Sequence, residues 1–91
     1  MSEARVRIDV WLWRARLAKT RAEAARLVSE GGVRILRGDG ASRSLDKAST
    51  EIGVGDALTL ARQGQIRAVR LLALGTRRGP PAEARTLYEA I

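Results

Sequence analysis

Near Gly31-Gly32 the spacing of apolar residues along this chain changes. Before the glycines they recur every three to four positions, and after them they alternate or run in short blocks, the periods of helix and strand respectively. The segment from Asp9 to Leu17 reads as a short helix, with Asp9 as its N-cap and Ile8, Leu12 and Ala15 on one face. Thr20-Arg21-Ala22-Glu23 has the form of a capping box, in which the hydroxyl takes one end-of-helix amide and the carboxylate another, so a second helix begins at Arg21. Ala24, Leu27 and Val28 give that helix an apolar stripe, and Gly31-Gly32 provides the left-handed residue that stops it.

Beyond the glycines the pattern predicts a strand over Val33 to Leu36, a turn at Gly38-Asp39-Gly40 and a return through Arg43 to Leu45. Gly53-Val54-Gly55-Asp56 reads as a further turn. A strand at Leu58 to Leu60, a Gln63-Gly64 turn and a long apolar strand from Ile66 to Leu74 follow it. After a loop from Gly75 to Pro81, the residues Ala84, Leu87 or Tyr88, and Ile91 mark one face of a short closing helix. The expected fold is α+β: two N-terminal helices on a small curled, mostly antiparallel sheet, with a short C-terminal helix. A chain of 91 residues makes one domain with a modest core, here spanning 1–91.

Composition narrows the chemistry. With no His and no Cys, the commonest general base, the usual nucleophile dyads and ordinary zinc sites are missing. Asp9, Asp39 and Asp56 fall at a helix start or in turns, Glu23 falls in a cap, and the glycines fit no phosphate-cradling loop. The expectation is a protein without catalysis, metal, cofactor or small-molecule substrate. No apolar run approaches the roughly 18 residues of a membrane span, and Met1 to Arg5 lacks the features of a signal peptide. A cytosolic, monomeric protein is expected.

Charge points to the partner. Lys and Arg number 17 against 10 Asp and Glu, a net charge of +7, which favours a polyanion. Residues 5–43 hold ten basic and four acidic side chains, so the field is concentrated in the first half. There Arg14, Arg16, Lys19, Arg21 and Arg26 span the end of helix one, the connection and the start of helix two. Lys19 and Arg21 flank a helix N-terminus, where the dipole disfavours cations by up to about 1 kcal/mol each. A bound phosphate turns that conflict into mutual support. A solvated basic face accounts for the same residues, and spacing alone does not separate the two. Trp11 and Trp13 point to nearly opposite sides of a helix, so one of them is a candidate for base stacking, with core packing the commoner use of such a ring. Arg77-Arg78 fits either a second phosphate track or a solvated loop.

At these residues the sequence resembles the S4 RNA-binding domain family. The resemblance is carried by Arg7-Ile8-Asp9, Trp11-Leu12-Trp13, Arg16, Lys19-Thr20-Arg21 and Gly31, and continues through Val33, Lys47-Ala48-Ser49 and Val54-Gly55-Asp56-Ala57-Leu58, covering roughly residues 5 to 60. Arg77-Arg78-Gly79-Pro80 with Glu83-Ala84 and Leu87-Tyr88-Glu89 is similar to the C-terminal extension of a bacterial, ribosome-associated, stress-linked branch of that family, so that residues 61–91 form the extension. The resemblance implies binding to structured ribosomal RNA, in particular to free large ribosomal subunits that still carry a nascent chain, in their rescue and recycling. It implies an RNA-facing surface of Arg16, Lys19, Thr20 and Arg21, with Arg14 and Arg26 beside them and Arg34 and Lys47 nearby. Two departures from the family pattern are the long Leu36 to Ser44 segment in place of a tight Asn-Gly hairpin, and Ala48 in place of a proline. Two other readings stand beside it: a winged helix-turn-helix DNA-binding protein, which two short helices followed by a hairpin also describe, and an accessory subunit of an RNA-modifying enzyme, which the resemblance implies because S4 modules are often fused to such enzymes.

Overall fold

The computed structural model of the protein describes residues 4–36, 40–62 and 64–91. In chain order its elements are β1 (Val6–Arg7), α1 (Ile8–Arg14), α2 (Arg21–Ser29), β2 (Val33–Leu36), β3 (Ser42–Ser44), β4 (Glu51–Ile52), β5 (Ala57–Arg62), β6 (Gln65–Leu71), α3 (Pro81–Ala84) and β7 (Tyr88–Ala90), with a 3-10 turn at Arg85–Leu87 between the last two. The strands form a five-stranded sheet in the order β3-β2-β5-β6-β7 and a two-stranded ribbon of β1 and β4. Every pairing is antiparallel. The fold class expected from the sequence is therefore the one found.

Strand alternation builds the core. Val33 and Ile35 of β2, Leu58 and Leu60 of β5, and Val69 and Leu71 of β6 share one sheet face and are buried. Onto that face pack Ile8, Trp11 and Leu12 of α1 with Ala24 and Val28 of α2, giving one contiguous cluster. Trp11 is fully buried, its indole Nε1 donates to the Ala73 carbonyl at 3.0 Å, and its ring meets Tyr88 edge-on with centroids 6.3 Å apart. Trp11 is thus the packing tryptophan. Trp13, half-buried, has the Arg78 guanidinium 5.8 Å from its ring centroid.

Helix α2 starts at Arg21, as the capping box requires, and the Thr20 hydroxyl accepts from the Glu23 amide at 2.9 Å. The box is only half used, because the Glu23 carboxylate turns away to pair with Arg62. Replacing Thr20 by alanine is expected to lower stability by about 1 kcal/mol, read as a shift in the midpoint of urea unfolding at unchanged slope. Gly31 stands at φ +80°, the left-handed residue that ends the helix.

Three expectations are corrected. Helix α1 has Arg7 at its N-cap position, with no side-chain capping bond, and ends at Arg14; Asp9 lies inside its first turn, where the carboxylate accepts from the Val10 amide at 2.8 Å. The strand expected to reach Leu74 leaves the sheet after Leu71, because the Leu72 amide donates to the Leu87 carbonyl at 2.8 Å. The closing helix stops after one turn. A helix that short gains little from its own hydrogen bonds, whereas the free edge of β6 offers a full ladder. Tyr88 therefore pairs with Leu71 and Val69 with Ala90, and the Ile91 side chain is left exposed. The turn expected at Gly38-Asp39-Gly40 falls mostly outside the described residues.

Candidate functional site

Helix α1 ends in a turn that decides where the basic residues go. The Leu17 amide donates to the Leu12 carbonyl at 3.0 Å and the Arg16 amide to the Trp13 carbonyl at 3.1 Å, the paired bonds of a Schellman motif. The left-handed position of that motif, ordinarily glycine, is held by Arg16 at φ +59°. Among the described residues Arg16 is the only non-glycine with positive φ, a conformation that costs an L-residue about 1–2 kcal/mol. Lys19 and Thr20, which lead from this turn into α2, are exposed, and the two helices share the core cluster.

Four guanidiniums fix this connection through backbone carbonyls. Arg14 donates to the carbonyls of Leu74 (3.4 Å) and Gly75 (2.9 Å), and Arg16 to that of Gly79 (2.7 Å). Arg78 reaches back to those of Trp13 (2.7 Å) and Ala18 (3.1 Å), and Arg62 to that of Leu17 (2.7 Å). Gly79 is buried here, and a side chain on it would collide with the Glu83 carboxylate. Arg77, the other member of the Arg77-Arg78 pair, is exposed and bonds Glu83 at 2.8 Å. The hydrogen bond and charge of Glu83 raise the Arg77 guanidinium above its ordinary value.

Arg7 and Arg21 stand at the N-terminal ends of the two helices. Asp9 is the one buried charged residue among those described. It takes a two-pronged bond from Arg7 (3.1 and 3.0 Å) and lies 3.8 Å from Arg21, so it tethers a guanidinium from each side. The backbone amides of Ile8 and Asp9 donate to Thr50 and Ala48, which brings the turn carrying Lys47 onto the start of α1. Lys47, with Arg43 and Thr50, lines an open hollow there. Lys19 and Arg26 are exposed, and among the described residues neither side chain has a hydrogen bond or ion pair.

The predicted residues therefore divide. Lys19, Thr20, Arg21 and Arg26 are all exposed, the first three at the start of α2 and Arg26 in its last turn, while Lys47 lies in the turn held against the start of α1. Arg14 and Arg16 are drawn toward the 72–80 loop. Arg34 alternates with Val33 and Ile35 onto the opposite face of the sheet, where it bonds Ser42 at 3.2 Å, apart from the helix group. Sequence reasoning passed over Arg62, yet its position two residues beyond Leu60 places it on the core-facing side of β5, a signal that alternation carries. Among the described residues there is no group of three or more acidic, His or Cys side chains placed to hold a metal, and no helix long and apolar enough to cross a membrane.

The S4 domain pattern matches residues 6–35, the stretch from β1 through both helices into β2. Heat shock protein 15 of Escherichia coli K12 is 38% identical over 84 residues, and a heat shock protein 15 homolog of Haemophilus influenzae is 33% identical over 89. The chain spans 59% and 63% of the length of those two relatives. The solved structure of Vibrio cholerae heat shock protein 15 superposes with a TM-score of 0.80 at 31% identity, covering 97% of this chain and 83% of that one. The chain belongs to the S4 domain family, within its heat shock protein 15 group. The Vibrio structure is described as trimeric. That does not fit the monomer expected from the sequence, an expectation for which charge and periodicity, which report on the single chain, gave no basis.

Proposed function

We propose that this protein is a non-catalytic, cytoplasmic binder of structured RNA, and that its target is ribosomal RNA of large subunits still carrying a nascent chain, which it helps to recycle. The observation that carries the reading is that Lys19 and Arg26 are exposed and uncommitted, while so many other arginines of the chain are engaged with backbone carbonyls or carboxylates. A surface of free cations held on a rigid helix pair suits a phosphate track. Side chains cannot read the narrow major groove of A-form RNA, so recognition runs through shape and phosphate spacing with little dependence on sequence. In this reading Lys19, Thr20, Arg21 and Arg26 face the RNA, with Lys47 at one end of the footprint. Membership of the S4 family supports it, and the heat shock protein 15 relatives support the ribosomal setting.

The test has two parts. In-cell ultraviolet crosslinking with sequencing of the attached nucleic acid should recover large-subunit ribosomal RNA, whereas DNA alone would overturn the reading. In vitro, Lys19→Ala/Arg26→Ala should leave the fold unchanged, since neither side chain has a partner to lose. It should flatten the log-log salt dependence of binding to purified large-subunit ribosomal RNA by about two units, one per lost phosphate contact. An unaltered slope in the folded variant removes these residues from the interface.

A further inference from the structure

The 72–80 loop and the connection between the helices are joined by reciprocal bonds. Arg14 and Arg16 donate from the connection to Leu74, Gly75 and Gly79, and Arg78 donates from the loop to Trp13 and Ala18. The two carbonyls taken by Arg78 bracket Arg16, the residue at φ +59°. A non-glycine held in the left-handed region persists only where its surroundings over-determine it. Here the determinants are the two Schellman bonds, the Arg16 bond to Gly79 and the Arg78 fork, whose guanidinium also covers the Trp13 ring. Lys19 and Thr20 come directly after Ala18, so the direction in which the turn delivers them is set by these contacts.

We propose that Arg78 is a positioning residue for the basic surface. From the C-terminal extension it fixes the turn at Arg16 and so presents Lys19, Thr20 and Arg21 in the geometry that engages RNA, while making no contact with RNA itself. This assignment rests on the RNA-binding function proposed above. It also accounts for Arg77-Arg78 in a way the sequence did not. The two are neither a second phosphate track nor an idle solvated loop: one is turned inward onto the connection and the other is neutralised by Glu83.

Arg78→Met tests the assignment, because an unbranched apolar stem still covers Trp13 while both donated bonds are lost; Arg78→Lys, which keeps the charge, is measured beside it. Binding to purified large-subunit ribosomal RNA is followed against salt concentration, and amide hydrogen exchange is followed along the chain. The Met variant should bind about 3- to 10-fold more weakly with the salt slope of the parent, because no phosphate contact is lost. Its amides at Arg16, Leu17 and Ala18 should exchange about tenfold faster while those of β5 and β6 keep their protection. The Lys variant should fall between the two, and carries the test alone if the Met variant does not fold. A slope lower by about one unit in the Met variant would make Arg78 a direct phosphate contact and overturn the assignment, as would unchanged affinity or unchanged exchange at the turn. Failure of the underlying function shows differently: the parent chain itself would then bind no ribosomal RNA, or the Lys19→Ala/Arg26→Ala variant would bind as the parent does.

Discussion

Trp11→Ala is expected to remove about 3–5 kcal/mol of stability, the range for truncating a buried aromatic side chain. Three losses coincide at this residue. The indole is fully buried in the centre of the cluster, its edge-on contact with Tyr88 joins α1 to the last strand, and its Nε1 supplies the donor to the Ala73 carbonyl. Alanine leaves a cavity under α1 and an unpaired carbonyl at the start of the 72–80 loop. For a domain of this size, total stability is on the order of 5–15 kcal/mol, so the melting temperature should drop by roughly 15 °C or more. Trp11→Phe separates the contributions: it retains most of the ring and loses the donor, for a cost of about 1 kcal/mol from the hydrogen bond. Urea unfolding followed by circular dichroism measures both. A loss below 1 kcal/mol for the alanine variant would mean that the helix layer rests on the sheet without this residue.

What could be read from the sequence followed the range of the interactions involved. Helix α2 was legible at both ends because a Thr cap and a left-handed Gly act within one turn of the residues they govern. The sheet was legible in outline because alternation is local. The N-cap of α1 was misread since an Asp at a helix start is usually a cap, whereas this carboxylate is committed to Arg7 and Arg21. The last strand was hidden for a different reason. Whether residues 88–90 coil or extend is decided by the unpaired edge of β6, some twenty residues earlier in the chain. The basic surface divides in the same way. Lys19 and Arg21 stand out through charge placed against a helix start. The internal engagement of Arg14, Arg16, Arg62 and Arg78 depends on which carbonyls the folded chain brings within reach of their donors, some of them more than sixty residues away.

Asp9→Ala should cost about 1.5–3 kcal/mol, the range for hydrogen bonds to a charged group in a partly buried setting. The side chain is 6% exposed, far less than is usual for an aspartate, and it is tolerated because it is paired: two bonds from Arg7, one from the Val10 amide, and the charge of Arg21 at 3.8 Å. Arg7 is about half exposed, at 49%, so its attraction to Asp9 is partly screened by water, and the Val10 amide loses its side-chain acceptor once the carboxylate is gone. A double-mutant cycle distinguishes the contributions. Arg7→Ala leaves a buried carboxylate short of its main partner and should be destabilising by itself, yet in the Asp9→Ala background the same change should cost almost nothing, because the group that needed neutralising is gone. If the two losses instead add, Arg7 stabilises the fold through the packing of its stem along β1 and not through its charge. Coupling of the two would show that Arg7 stabilises the start of α1 through its charge on this one buried anion.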